Sequence, residues 1–164
     1  MPAAALLSSD RDDWCTPGGL LRLVRQVGPI CLDPCGNPGS IVHAVREYRL
    51  DRGEDGLRLP WAVGGLCFVN PPYGDAIGAF TRRMAREGAA GVEIIGLLPA
   101  RVDTAWWQRD VVTADAICFW SGRLKFLGAR DSAPFPSAIA YWGPQVERFV
   151  EVFAPYGWAV RGGR

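Results

Sequence analysis

The sequence predicts a single α/β domain built on a mostly parallel sheet with helices on both faces. Three observations carry that expectation. Several short runs are continuously apolar rather than alternating, as strands buried on both sides are. Helix-length amphipathic segments separate them. Three of the runs also stop on chemically loaded loops: Asp33-Pro34-Cys35, Asn70-Pro71-Pro72-Tyr73 and Pro99-Ala100-Arg101. In open α/β sheets ligands are handled just past the carboxyl ends of the strands. The 164 residues, 49 % apolar and 21 % charged, are enough for one domain with a proper core.

Taken in order, residues 1–12 read as a flexible end and 13–164 as the domain. Residues 17–27 place Leu20, Leu21, Leu23, Val24 and Val27 at helical spacing. Thr16 is available there as N-cap and Pro17 as first helical residue. Residues 29–33 form a buried strand, and 34–40 a turn-rich stretch. Within 41–49, Ile41, Val42, Val45 and Tyr48 fit a short helix. A second strand spans 66–70. A helix over 75–88 turns Ile77, Phe80 and Met84 one way and leaves Arg82, Arg83 and Arg86 for the other face. A third strand covers 92–98, a helix 103–112, strands 116–120 and 137–142, and a last helix 144–154.

Charge and cysteine content exclude several classes. Eighteen Lys and Arg against 17 Asp and Glu give a formal net charge of +1, so nucleic acid cannot be held by a blanket positive charge. Any such partner must meet a local patch. Five cysteines, an odd number in a chain this size, do not form a disulfide framework and suit a reducing compartment; the expected location is cytoplasmic. No run approaches the roughly 18 apolar residues that span a bilayer, and the opening residues lack the basic start of a signal peptide. Cys31, Cys35, His43 and Cys67 lie near one another in sequence but have no CxxC spacing, which argues against a metal site.

Asn70-Pro71-Pro72-Tyr73 is the sharpest feature. Neither proline offers an N–H and both fix φ, so the ladder must end there and the exit is stiff. The Asn70 side chain and the Pro71 carbonyl are then free to act as acceptors, with an aromatic ring two residues on. A planar amine could give both hydrogens to these oxygens and stack on Tyr73. Elsewhere Arg123 and Lys125 alternate with Leu124 and Phe126, and Arg130 follows, a local basic surplus suited to phosphate. Arg101 could meet either an outside anion or Asp103.

The Asn-Pro-Pro-Tyr signature resembles that of amino-methyltransferases dependent on S-adenosylmethionine. Further pieces resemble the small phage-type DNA N6-adenine methyltransferases: DWCTP (13–17), LDPC (32–35), EDGL followed by Trp61 (54–61), FVNPPYG (68–74), LLPARVDTAWW (97–107), GRLKF (122–126) and APFPSAIAYW (133–142). They run through about three quarters of the chain in the family's order. The turn DPCGNPG stands where many methyltransferases carry a glycine-rich FxGxG, and the phage-type branch shares this departure.

The resemblance implies a Rossmann-like methyltransferase fold in which strands 116–120 and 137–142 make an antiparallel hairpin at one sheet edge. The loop 121–136 between them would lie beside the active-site face. It implies S-adenosylmethionine as cofactor, met by Thr16, Pro17, Asp33, Pro34, Cys35 and Asn70, by Asp55 at the cofactor adenine, and by Asp51 in preference to Glu47 at the ribose. A plain helix cap at Thr16 and a solvated loop acid at Asp55 remain open. The implied substrate is adenine in duplex or single-stranded DNA, extruded onto Tyr73 at a cost of roughly a few kcal/mol. Stacking there would offset about 1–3 kcal/mol. Asn70, Pro71, Pro72 and Tyr73 would carry catalysis, with Arg101, Arg123, Lys125 and Arg130 on DNA. RNA adenine, protein glutamine, or nucleic-acid binding without catalysis are the competing readings. With only Cys35 to Val69 available for an insertion and nothing after residue 164, no separate target-recognition domain is expected.

Overall fold

The computed structural model describes residues 14–163; the stretch 1–12, expected to be a flexible end, lies outside them. The elements run α1 (Gly18–Val27), β1 (Ile30–Gly36), β2 (Arg46–Arg49), β3 (Leu66–Val69), α2 (Ile77–Ala89), β4 (Ile94–Pro99), α3 (Ala105–Arg109), β5 (Ala116–Trp120), β6 (Ser137–Trp142), α4 (Val146–Phe153) and β7 (Gly157–Arg161). The strands form one sheet in the order β2-β1-β3-β4-β6-β5-β7. Pairs β1–β2, β1–β3 and β3–β4 are parallel; β4–β6, β5–β6 and β5–β7 are antiparallel.

Burial explains why the central strands read so clearly. Every residue of β3, β4 and β6 is buried, so both faces are covered and no alternation survives. The covering is visible at two consecutive residues of β6, whose side chains point to opposite faces. Tyr141 stacks on Phe149 of α4 with ring centroids 5.1 Å apart. Trp142 lies against Gly88 of α2. Helix α1 packs with α4, and α2 with α3. Among the described residues no helix is long and apolar enough to cross a membrane.

Four expectations change. Residues 41–49 are not a helix: Arg46–Arg49 is the edge strand β2, and 37–45 is the crossover that reaches it. That connection is shorter than the dozen or so residues a helical crossover takes. Its apolar spacing serves anchoring instead, with Val42 buried and its carbonyl accepting a hydrogen bond from the Arg25 guanidinium. Second, the β5–β6 hairpin is antiparallel but internal, because β7, which follows the last helix, pairs with β5 and takes the edge. The sheet is therefore half parallel rather than mostly so. Third, the helix expected over 103–112 stops at Arg109. Buried Asp110, which accepts from Thr81 Oγ1 at 2.9 Å, draws the chain into a 3-10 turn over Val111–Thr113.

Fourth, Thr16 does not cap α1. Pro17 is the N-cap, with extended backbone (φ −70°, ψ 147°) and no side-chain cap. The helix thus begins one residue later than expected, which leaves the Thr16 hydroxyl for Asn70.

Candidate active site

The chain order reverses between β1 and β3: β2 lies on one side of β1, and β3 returns on the other. Their carboxyl ends splay apart at this point, which is where open α/β sheets bind ligands. A cavity of about 490 Å³ lies there, within the range of sites for nucleoside-sized molecules. The β1 exit contributes Pro34, Cys35 and Gly36; the β3 exit contributes Asn70, Pro71 and Pro72. Apolar walls come from Trp14, Tyr48, Leu57 and Phe80, and among the described residues the only charged ones lining it are Asp51 and Asp55.

Asn70 is oriented by the segment before α1. Its amide nitrogen donates to the Trp14 carbonyl and, at 3.0 Å, to Thr16 Oγ1. A carbonyl oxygen accepts only, so the NH2 end must face Trp14. Oδ1 is consequently turned the other way, buried and without a hydrogen-bond partner among the described residues. Leaving a buried acceptor unmatched costs about 1–3 kcal/mol, so such an atom calls for a donor from outside the chain. The same segment fastens the surroundings together: Cys15 Sγ reaches Asn37 Oδ1 at 3.4 Å, and its carbonyl accepts from Leu127 N at 2.9 Å.

Tyr73 does not line the cavity. Its ring is buried, its hydroxyl donates to the Leu97 carbonyl at 3.1 Å, and Phe126 and Phe135 pack edge-on against it at 6.2 and 5.4 Å. Trp14 meets the same two phenylalanines at 5.1 and 5.5 Å. The loop 121–136 therefore lies over the Tyr73 side of the site, with Leu124, Phe126, Ala133 and Phe135 inward and Arg123, Lys125 and Arg130 exposed.

Asp33 sits just behind the wall made by Pro34 and Cys35. Burial raises its pKa to about 7, partly offset by the Cys35 N–H bonded to Oδ1 at 2.9 Å and reinforced by the Glu47 carboxylate. Burial and the neighbouring Asp33 push the Cys35 thiol well up, so it stays protonated and is no nucleophile. Asp51 is fixed by a two-point bond from Arg49 (2.9 and 2.5 Å), which holds its carboxyl below the usual range. Glu47 does not line the cavity and lies 3.8 Å from Arg49. Asp55 caps its own turn through Leu57 N at 2.9 Å and pairs with Arg58 at 3.3 Å. Pro17 lines a different groove. Arg101 lies just past β4 in a turn where Thr104 Oγ1 donates to its carbonyl at 2.7 Å.

Sequence reasoning missed the residue that positions the Asp55 loop. Arg83 of α2, counted among the surface arginines, is largely buried: it donates to the carbonyls of Leu57 (2.6 Å) and Leu59 (2.9 Å), pairs with Glu87 (2.8 Å) and covers the Trp61 ring at 5.1 Å. Trp61 Nε1 donates to the Gly56 carbonyl at 2.7 Å. Gly56 must be glycine, since a Cβ there would lie 1.9 Å from the Pro34 carbonyl oxygen. Only tertiary packing marks Arg83, which no local pattern signals. Replacing Arg83 with alanine strips two carbonyls and Glu87 of their partner, and is expected to cost about 2 kcal/mol. A thermal melt should fall by about 4–8 °C.

The mixed sheet, with a nucleoside-sized cavity at its switch point and a stiff Asn-Pro-Pro exit, defines a Rossmann-like methyltransferase fold. The chain belongs to the DNA N-6-adenine-methyltransferase (Dam) family, whose family model matches residues 3–140. That membership places it among the DNA adenine-N6 methyltransferases. No curated protein matches it.

Proposed function

We propose that this chain transfers the methyl group of S-adenosylmethionine to the exocyclic N6 of adenine in DNA, with Asn70 Oδ1 and the Pro71 carbonyl as acceptors for the amine. The observation that carries this reading is the buried, unmatched Asn70 Oδ1 beside the cavity. The cavity suits the cofactor: its charged lining is wholly acidic, which favours a molecule bearing sulfonium and ammonium charges, and its walls accept an adenine ring. Asp51 is the residue to accept from the ribose hydroxyls and Asp55 from the adenine amino group, with Pro34, Cys35 and Gly36 the backbone against the amino-acid end.

When bound, S-adenosylmethionine supplies a methyl group already activated by its positive sulfur. The protein's own task is then alignment and electrostatics. The N6 lone pair is delocalised into the adenine ring. Two oxygens that each take one N–H favour a more tetrahedral nitrogen, whose lone pair is localised and aimed at the methyl carbon. The prolines keep these oxygens from relaxing as the geometry changes.

Tyr73 is the proposed platform for the extruded base. Phe126 and Phe135 flank its ring, so the loop 121–136 must shift for adenine to enter. The edge-on packing that Tyr73 then gives up is exchanged for stacking on the base. This supports a reading in which DNA itself opens the substrate side. Residues 13–164 act as one catalytic domain, with target choice left to loops such as 121–136.

Labelled S-adenosylmethionine offered with duplex DNA, RNA and protein side by side tests the substrate. Label is expected in adenine of DNA. Label in RNA or in glutamine instead would overturn the reading.

A further inference from the structure

A second groove, of about 470 Å³, lies beside the proposed substrate side and has the opposite electrostatic character to the first. Its charged lining residues are Arg22, Arg123 and Lys125, with no acid among them. One wall is formed by Trp120 and Tyr156, stacked nearly parallel with centroids 5.6 Å apart. Sequence alone points to Arg123 and Lys125; the fold adds Arg22 from α1 and the aromatic pair from the far end of β5 and the turn before β7.

These cations differ from most others on the surface. Arg49, Arg52, Arg58, Arg86, Arg109, Arg148 and Arg161 all pair with an acid. Arg22, Arg123 and Lys125 are exposed and make no ion pair or hydrogen bond among the described residues. Three unmatched cations converging on one concave surface raise the local potential and attract a polyanion.

The groove is joined to the catalytic residues at two points. Pro17 lines it, one residue from Thr16, which bonds Asn70. Lys125 lines it, one residue from Phe126, which packs on Tyr73. A strand whose adenine is extruded onto Tyr73 continues through its phosphates, and this is the adjacent cationic surface.

We propose that this groove binds the phosphodiester backbone of the DNA strand flanking the target adenine, through Arg22, Arg123 and Lys125, with Trp120 and Tyr156 packing against the sugars. The assignment rests on the DNA-methyltransferase reading above. Because Lys125, exposed, and Phe126, buried against Tyr73, are adjacent in the chain, phosphate binding at one side chain draws on the same loop that covers Tyr73.

The test is fluorescence anisotropy of a labelled adenine-containing duplex with the full chain, at salt from about 50 to about 200 mM. Arg22→Ala and Lys125→Ala are each expected to reduce the slope of log affinity against log salt by about 0.9. Arg82→Ala, an exposed cation on α2 and so on the other face of the sheet, is expected to leave the slope unchanged. Slopes equal to wild type in both groove variants, or an equal loss in Arg82→Ala, would overturn the assignment. Methyl transfer to DNA by the wild-type chain separates the two claims. If it occurs while the groove variants keep the wild-type slope, only the groove is wrong; if it does not occur, the function and the groove fall together.

Discussion

Asn70→Ala is expected to lower methyl transfer by about a hundred- to a thousandfold, the scale found when one preorganised electrostatic partner is removed from a reaction centre. The loss should fall on kcat, because the acceptor matters most where the amine becomes tetrahedral. Affinity for the cofactor should change little, since Asn70 is one residue in a wall supplied mainly by the β1 exit, Asp51 and Asp55. Asn70→Asp is the sharper companion. It keeps the shape and an acceptor but loses the NH2 that donates to Trp14 and Thr16. Its expected defect combines a displaced Trp14 segment with low turnover. Single-turnover rates and calorimetry with S-adenosylmethionine check both. Unchanged turnover in Asn70→Ala would remove Asn70 from the mechanism.

Asp33→Asn is expected to flatten the pH dependence of stability. The folded chain holds the Asp33 proton up to about pH 7, against a usual value of 3.8, chiefly because the carboxylate would be buried. Between those values the folded state binds more protons than the unfolded state, so this contribution is complete below about pH 4 and is lost as pH rises through 7. The difference corresponds to about 4 kcal/mol between acid and mildly alkaline solution. Asparagine keeps the acceptor for Cys35 N–H without the charge. The variant should therefore gain on wild type from pH 5 to pH 8 in urea melts, and parallel pH curves for the two chains would show that Asp33 is not held protonated.

Legibility in the sequence followed burial. The strands β1, β3 and β4 stood out because both of their faces are covered, and their exits carried the chemistry that lines the cavity. The edge strands did not. In β2, Arg46–Arg49, only Tyr48 is buried, and the apolar residues before it, of which Val42 anchors a short crossover while Val45 is exposed, imitate helical spacing. In β7, Gly157–Arg161, no residue is fully buried, and its partner β5 lies across the whole β6–α4 segment. Thr16 illustrates a different limit: Ser or Thr before Pro signals a cap, but whether its hydroxyl turns to the helix or to Asn70, 54 residues away, is a tertiary matter. Tyr73 was identifiable as a ring at the right place, yet nothing local shows that Phe126 and Phe135, more than fifty residues downstream, lie against it. Arg83 belongs to the same kind, an apparent surface cation whose partners are carbonyls of a loop before β3.

The most direct measurement is a crystal structure of the chain with an adenine-containing duplex and a non-reactive analogue of S-adenosylmethionine. The account predicts one adenine out of the helix, its N6 within hydrogen-bonding distance of Asn70 Oδ1 and the Pro71 oxygen, its ring on Tyr73, and the analogue between Asp51, Asp55 and the β1 exit. An adenine seated elsewhere, with Asn70 Oδ1 still buried and unmatched, would contradict it.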